Sequence, residues 1–458
     1  MRMTRYILLV LSLLVGIFTS SCKLGQKYTR PDLHLPENFN GTDIHDTLSV
    51  QDIRWWDIYT DTVLQKLIRQ TLTYNKDLQI AAARVKESEL ARRITRADLY
   101  PKINLATNAE REYDEKPGNA FEGKITTTTW EIDLWGKLRW ANQESLAAYL
   151  QTKEGQRALQ MSLVAQVARA YFELCALDME LSIVKQTHEA RRESVRLAKL
   201  RFEGGLTSET AFRQAQVELA KTKTLIPDLE QKIKLKENDI SLLTGQYPGD
   251  IPRGKNINSQ TMPDSLPVGL PSSLLERRPD IRQAEYNLRA ANARVGIAYT
   301  SMFPSLTLTG TYGLESSELK DFLNSPYFYI SGKLLGPIFQ MGKVRAKYKA
   351  AQAAYEQEVY SYEKSVLTAF KEVNNALVSF TKTREIKTTR KRLEEAAYSY
   401  KELANLQYIN GVISYLDVLD AQRGYFDAQI SFNNAVRDEL ISFVNLYMAL
   451  GGGWDTGE

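Results

Sequence analysis

An internally duplicated, mainly α-helical fold with two short pairs of β-strands is predicted for this chain of 458 residues, on three observations. Two turn-like stretches, "FEGGLTSETAFRQAQ" (202–216) and "YINGVISYLDVLDAQ" (408–422), match position for position at an offset of 206. Phe202 meets Tyr408, Gly205 meets Gly411, Ser208 meets Ser414, and Ala215-Gln216 meet Ala421-Gln422. Long segments ahead of each turn carry apolar residues in alternating steps of 4 and 3. Shorter segments before those alternate in character with period two. An internal repeat of this kind dictates the architecture.

The chain opens on "MRMTRYILLVLSLLVGIFTSSC", with Arg2 and Arg5, an apolar run from Tyr6 to Phe18, and small residues before Cys22. The run is too short for a membrane span and reads as a secretory signal over 1–21. A cysteine directly after Ser20-Ser21 predicts a lipoprotein signal, with Cys22 acylated after cleavage. Thr19 departs from the leucine usual three residues before such a cysteine. The only other cysteine, Cys175, lies on an apolar helix face, so no disulfide framework is expected.

Beyond an N-terminal extension (22–58), the first repeat is expected over 59–245. It holds a helix, strands at about 102–114 and 123–134, a long helix at 137–201 and a return helix at 209–244. A link rich in Pro, Gly and Asn, 246–271, leads to the second repeat over 272–452. There the strands fall at about 305–314 and 326–335, the long helix at 343–407 and the return helix at 414–449, with a tail at 453–458. The copies correspond elsewhere too. "ADLYPKINLATNAE" (97–110) returns as "TSMFPSLTLTGTYG" (300–313), and Gly136-Lys137-x-Arg139 returns as Gly342-Lys343-x-Arg345.

Leu163, Val167, Ala170, Leu174, Leu177, Leu181 and Val184 carry the stepping pattern in the first long helix. Val359, Tyr362, Val366, Ala369, Val373, Ala376 and Phe380 carry it in the second. A 3.5-residue repeat keeps one apolar seam facing a neighbour through a supercoil. At 1.5 Å per residue each helix is on the order of 100 Å long, against roughly 30 Å for a bilayer core. Frequent charges mark both as aqueous coiled coils. Among the strands, "KITTTTWEIDLW" (124–135) is expected to place Thr126, Thr128, Trp130, Ile132 and Leu134 on one face. "SLTLTGTYGL" (305–314) groups Leu306, Leu308, Tyr312 and Leu314, and "YFYISGKL" (327–334) has aromatics on both faces. Period-two alternation with aromatics near strand ends is the weak signature of an outer-membrane barrel.

Composition excludes several classes. A net charge of +4 with 25% charged residues leaves no nucleic-acid footprint. His34, His45 and His188 have no metal-ligand spacing, and neither a phosphate loop nor a nucleophile elbow is present in the sequence. No enzyme and no cofactor are expected, apart from a covalent lipid on Cys22. Four strands cannot close a barrel alone, and an open edge in lipid costs several kcal/mol per unpaired backbone group. Several copies must therefore share the closure.

The stretch "ERRPDIRQAEYNLRAANARVGIAYTSMFPSLTLTG" (276–310) closely resembles the signature of TolC-like outer-membrane factors, in the lipoprotein branch serving RND-type efflux systems. So do "NKDLQIAAARV" (75–85), "YTRPDL" (28–33) and "IPDLEQ" (226–231) ahead of "LLTG", so that the resemblance covers essentially all of the mature chain. It implies a homotrimer whose 12-stranded β-barrel sits in the outer membrane, lipid-anchored, above an α-helical barrel crossing the periplasm of a Gram-negative cell. It also implies passive conduction of substrates handed over by a periplasmic adaptor and an inner-membrane RND-type transporter. Two departures stand out: Lys76 replaces the usual proline in "NKD", and Ile413 stands where the archetypal channel has a basic residue, so a rewired closure network is implied. A type I secretion channel shares the implied fold. A lipid-anchored periplasmic coiled coil would explain the helices and Cys22 but not the repeated strand pairs.

Gly205 and Gly411 each allow the left-handed conformation that ends a helix, and Ser208 and Ser414 suit N-caps for the returning helices. The two turns, Gly205-Leu206-Thr207-Ser208 and Gly411-Val412-Ile413-Ser414, are expected at the same periplasmic end, where an adaptor would dock. Only the second carries Asp417 and Asp420, at i,i+3 on one helix face; the first has Ala211 and Gln214. Taken alone, such carboxylates suit the first turn of a helix by its dipole. "LDVLDAQ" matches the family segment whose aspartates line the narrowest aperture, which implies a ring of carboxylates with cation preference and cation block.

Overall fold

The computed structural model describes residues 23–36, 39, 54–113, 118–263 and 270–454. The expected signal at 1–21 and the lipidation position Cys22 lie outside them. In chain order the helices and strands are α1 (Trp55–Ile58), α2 (Thr62–Tyr74), α3 (Lys76–Ala97), β1 (Lys102–Glu112), β2 (Gly118–Ile132), α4 (Lys137–Glu203) and α5 (Glu209–Leu243). The second half follows with α6 (Leu274–Arg277), α7 (Pro279–Thr300), β3 (Ser305–Ser316), β4 (Pro326–Leu335), α8 (Lys343–Ile409) and α9 (Tyr415–Ala449). The duplication shows in the backbone. α3 and α7 each have 22 residues, α4 and α8 have 67, and α5 and α9 have 35. The fold is mainly α with a four-stranded sheet.

Three pairs of left-handed glycines punctuate the copies: Gly136 and Gly342 (φ +87° and +79°), Gly205 and Gly411 (+69° and +75°), and Gly245 and Gly451 (+70° and +86°). The first pair precedes the long helices. The other two end helices by the same device, in which a left-handed residue lets two successive N–H groups turn back onto the last turn's carbonyls. Gly205 N bonds Phe202 O at 2.9 Å and Leu206 N bonds Arg201 O at 2.8 Å; Gly411 N bonds Tyr408 O at 3.0 Å and Val412 N bonds Gln407 O at 2.9 Å. Gly245 and Gln246, and Gly451 and Gly452, repeat that pattern.

By its internal contacts the chain forms two compact units that cut across the repeats. One takes in the described residues through Leu33, Ala83–Glu154 and Asp280–Ser365; the other comprises His34–Ala82, Gly155–Pro279 and Val366 onward. The first contains the sheet, in the order β1-β2-β3-β4 with every pairing antiparallel. β1 and β4 are its margins, each paired on one side only among the described residues.

Register sorts the sheet into two faces. Leu105, Ile125, Tyr312 and Phe328 stand in one cross-strand row, with Ile103, Thr127, Gly310 and Ile330 in the next. The opposite face presents Asn104, Thr126, Thr311 and Tyr329, then Ala106, Lys124, Gly313 and Tyr327, then Asn108, Glu122 and Glu315. Thr126 and Thr311 hydrogen-bond across it at 2.9 Å. This corrects the expectation that Thr126 and Trp130 share a face. The register of β2 against β3 shifts between Thr127 and Trp130, so that Trp130 pairs with Leu308 and Ile132 with Leu306. One inserted residue reverses the parity of a strand. Trp130 and Ile132 thus rejoin the apolar face that Ile125 left off. β2 also starts earlier than the expected 123, at Gly118, and Leu134 lies beyond its end. Ile103, Leu105, Ile125, Tyr312, Phe328 and Ile330 are all exposed.

In the same unit the N-terminal lead is fastened. Leu24 N bonds Trp135 O, Trp140 Nε1 donates to Leu24 O at 2.6 Å, and Arg30 pairs with Glu285 at 2.6 Å. In the other unit Asp61 is the polar hub. It caps α2 through Val63 N (2.8 Å) and accepts from Tyr171 Oη, Lys255 N and Gln260 Nε2, each at 2.8 Å. Burial opposes its charge, but those donors hold its carboxyl below the usual range. Tyr59, Leu64, Ile68, Phe172 and Ile257 form the surrounding core, and Cys175 lies in it, its thiol pushed up to about 12 by burial.

The two long helices differ in what the chain itself covers. Around Leu163–Ala176, α4 is buried on nearly every side, whereas α8 buries the seam Tyr362, Val366, Ala369, Val373 and Ala376 and exposes its other faces.

The two kinds of glycine terminus separate conformation from packing. A Cβ on Gly205 meets nothing within 4 Å, whereas one on Gly245 would lie 2.3 Å from Tyr74 O. Gly205→Ala should destabilise by about 1–2 kcal/mol from backbone conformation alone. Gly245→Ala should lower the thermal midpoint of the detergent-purified protein clearly further; equal shifts would refute the packing contribution.

Candidate functional site

The two turns lie side by side, held by one apolar cluster. Ala198 of α4, Ala211 and Ala215 of α5, and Tyr415, Val418 and Leu419 of α9 are its buried members, with Val195, Phe212, Tyr408 and Ile413 packed against it. Aromatic contacts brace both sides. Phe202 stacks on Phe212 at 6.3 Å and 9°, Tyr408 meets Tyr415 at 5.6 Å, and the Arg201 guanidinium lies 4.5 Å from the Tyr408 ring. The Tyr415 hydroxyl is buried without a hydrogen-bond partner, and burial pushes its pKa up to about 12.

The cluster accounts for Asp417 having no acidic counterpart at position 211, although α5 carries its own exposed acidic residue, Glu209, paired with Arg213 at 3.0 Å. Ala211 faces inward and is buried, so a carboxylate there would be stranded among apolar side chains. Its counterpart Asp417 is exposed. Ser414 N and Ser414 Oγ both donate to Asp417 Oδ2, at 2.9 and 2.7 Å, and these bonds hold the carboxyl below its usual range. Asp417 is thus the acidic half of a capping box at the start of α9. Ser208 occupies the matching position, but its side chain makes no capping bond, and Ala211 has no carboxylate to accept from Ser208 N as Asp417 does from Ser414 N. Asp420 is exposed, one turn further along, and takes no part in the cap. Leu206 and Val412, which follow the two glycines, are 72% and 68% exposed. Thr207 is half-buried, and Ile413, also half-buried, packs against the apolar cluster.

A charged group above the cluster was not singled out by the sequence reading. Glu218 of α5 is buried, and its carboxylate receives Arg423 Nη2 of α9 at 2.6 Å, Lys221 Nζ at 3.1 Å and Arg191 Nη2 of α4 at 3.3 Å. Arg191 is itself buried; it bonds Glu218 O at 3.0 Å as well as Thr222 Oγ1, and its guanidinium lies 5.5 Å from the Phe426 ring. Burial works against charge on Glu218, yet the bonds from Arg423 and Lys221 and the charge of Arg191 hold its carboxyl below the ordinary 4.5. The hydrogen bond to Glu218 keeps Arg423 charged, and the nearby negative charge of Asp420 adds to this. The signal lay in the repeat. At an offset of 206, Arg191, Glu218 and Arg423 correspond to Ala397, Gly424 and Val217, so each charge is present in one copy only.

Comparison with known proteins gives one answer. The family described as outer membrane efflux protein matches residues 67–246 and 270–452, one match in each repeat. The chain is 30% identical over 450 residues to the cation efflux system protein CusC of Escherichia coli O6:H1, covering 96% of this chain and 97% of that protein. It is 29% identical to the probable outer membrane lipoprotein SilC of Salmonella typhimurium, covering 96% and 97%. Among solved structures, the open state of the MtrE outer membrane channel of Neisseria gonorrhoeae superposes with a TM-score of 0.89 at 27% identity, over 95% of this chain and 99% of that one.

Glu218 yields a prediction with a definite sign. Because its folded pKa is depressed, its contribution is complete above the ordinary value of 4.5 and is lost as pH falls through the lowered one. Glu218→Gln leaves Arg191 buried and unpaired and should cost about 3–5 kcal/mol at pH 7. The gap in thermal midpoint between variant and parent should narrow as pH falls below 4.5. A gap independent of pH would contradict the ion-pair account.

Proposed function

The chain belongs to the outer membrane efflux protein family, and on that premise we propose how its parts perform the role of an outer-membrane channel component in an efflux system. The observation that carries the reading is the two-faced sheet with unpaired margins. Three copies join β4 of one to β1 of the next, giving twelve strands with Leu105, Ile125, Tyr312 and Phe328 toward lipid and Thr126, Lys124 and Glu122 toward a water-filled lumen. Closure satisfies the backbone groups that hydrocarbon would otherwise leave unpaired. An acyl chain on Cys22 adds a second attachment beside the fastened lead at Lys23–Leu24, since one buried chain gives marginal binding and several accumulate.

The paired turns form the periplasmic mouth. Six turns then alternate in type around it, and the second type contributes Asp417 and Asp420. Close carboxylates within low-dielectric walls concentrate cations and strengthen the field across the opening. The two aspartates divide the labour. Asp417 is committed to the cap of α9, and Asp420, free of the cap, carries the electrostatic role at the aperture. Arg191 and Arg423 on Glu218 take over the tying function for which Ile413 offers no charge. Leu206, Thr207, Val412 and the flanking Gly205, Ser208, Gly411 and Ser414 form the seat for a periplasmic adaptor, which connects the channel to an RND-type inner-membrane transporter. The named cargoes of the relatives include cations, and a cation-responsive mouth suits that class without requiring a resident metal.

Asp420→Ala should change single-channel conductance and cation block in planar bilayers while leaving the thermal midpoint near the parent's. Asp417→Ala should lower the thermal midpoint through loss of the cap, in addition to any effect on conductance. An unchanged cation response in the double variant would remove the aperture assignment. Photo-crosslinkers at Thr207 and Val412 should capture a periplasmic adaptor in cells, and failure at both positions would dismiss the docking seat. Cys22→Ala should reduce efflux more than it reduces trimer bands in unheated outer-membrane samples; loss of the bands would give the lipid a role in assembly.

A further inference from the structure

Within the sheet-containing unit, α7 is seated on α4 and α3 is not seated on its counterpart. Gly296 of α7 lies against Trp140 of α4 so closely that a Cβ would come within 2.3 Å of the indole ring. Arg294 Nε reaches Glu144 Oε1 at 2.7 Å beside it, and Ala290 and Ala293 are buried in the same contact face. The other side of α7 touches α8, where Tyr299 and Tyr348 meet at 5.5 Å. α7 therefore lies between the two long helices of its own chain. α3, its counterpart 203 residues earlier, touches α4 through Arg92 and Tyr149, at 6.0 Å. Its other side is open: Leu90 is 46% and Ile94 69% exposed, although they stand at the positions of Ala293 and Ile297.

We infer that this open side of α3 is filled by α8 of a second copy, with Arg93 and its neighbours set against Ala346 and Ala350. The inference rests on the trimer reading above and extends it to a residue register. In the contact within the chain the bulk sits on the long helix, Trp140, and the small residues sit on the short one, Ala290, Ala293 and Gly296. At the equivalent positions the sizes are reversed. Trp140 and Glu144 become Ala346 and Ala350, while Ala293 and Gly296 become Leu90 and Arg93. Each side alone is an exposed surface; together they restore the volume that close packing requires. Ala346, Ala350 and Ala353 are exposed along α8 in the chain, whereas Trp140 and Ala147 at the matching positions of α4 are buried.

The joint next to these helices repeats the relation. Trp135 lies 5.2 Å from Phe303 and its Nε1 donates to Pro304 O at 2.7 Å. The matching residues are Met341, Tyr100 and Pro101. Met341 is 85% and Tyr100 59% exposed, and Met341 is held left-handed at φ 47°, a conformation a bulky residue adopts only under constraint. Met341 of one copy set against Tyr100 of the next supplies that constraint.

The test uses the full chain in isolated outer membranes. Arg93→Cys combined with Ala346→Cys, bridged by a short thiol-specific reagent, should give covalent two- and three-copy species at least tenfold above either single variant; Cys175 is buried with a raised pKa and stays silent. Parent-like trimer bands in unheated gels without crosslinking overturn the register while leaving the trimer in place. Absence of any trimer band from the parent chain overturns the assembly reading instead. A second arm transplants the packing. Ala346→Trp should lower the temperature at which the trimer dissociates, and adding Arg93→Gly should return it toward the parent's; a double variant no better than the single refutes the pairing.

Discussion

The chain is organised around a hydrogen-bonding deficit. A four-stranded antiparallel sheet leaves a row of N–H and C=O groups at each margin, and in the outer membrane the hydrocarbon excludes the water that would satisfy them. Everything else in the architecture makes the deficit tolerable. The bulge in β2 keeps the apolar face continuous where simple alternation would have broken it. The helices that follow each strand pair begin at matched glycines, so both halves leave the sheet by the same path.

Duplication then supplies economy, and divergence supplies function. The lengths of α3 and α7, α4 and α8, and α5 and α9, and the left-handed glycines at 136/342, 205/411 and 245/451, are shared between copies to the residue, because they fix backbone paths that both halves must follow. Side chains diverge where one copy faces its own chain and the other faces outward. Ala211 and Asp417 are the clearest case: one position is sealed in an apolar cluster and the other is open, so only the second can carry charge at low cost. The Arg191–Glu218–Arg423 group is the converse, with three charges present in one copy each and joined where α4, α5 and α9 meet.

Most of the fold was legible in the sequence because it is written in period and punctuation. The 4–3 stepping of Leu163 to Val184 marks a helix, and Gly205 and Gly411 mark its end. The faces of β2 were not legible, since the inserted residue between Thr127 and Trp130 leaves no compositional trace and inverts every assignment on one side of it. At the candidate site, Asp417 and Asp420 were found by their absence from the first copy. The capping role of Asp417 is written in the Ser414-x-x-Asp417 spacing, and the bonds from Ser414 N and Oγ realise it. Glu218 is not legible in the sequence because "QVELA" has the pattern of an ordinary helix surface, and only tertiary packing buries it.

The matched helix endings have a stoichiometric consequence. Gly205 and Gly411 close their helices with the same two backbone bonds, so in the trimer proposed above three copies would present six seats of one shape. The side chains on those seats would come in two chemistries in alternation, one with Glu209 paired to Arg213 and one with Asp417 in the cap and Asp420 beyond it. A ligand that grips main-chain form counts six places; one that senses electric potential counts three. The same rim can therefore hold two periodicities at once.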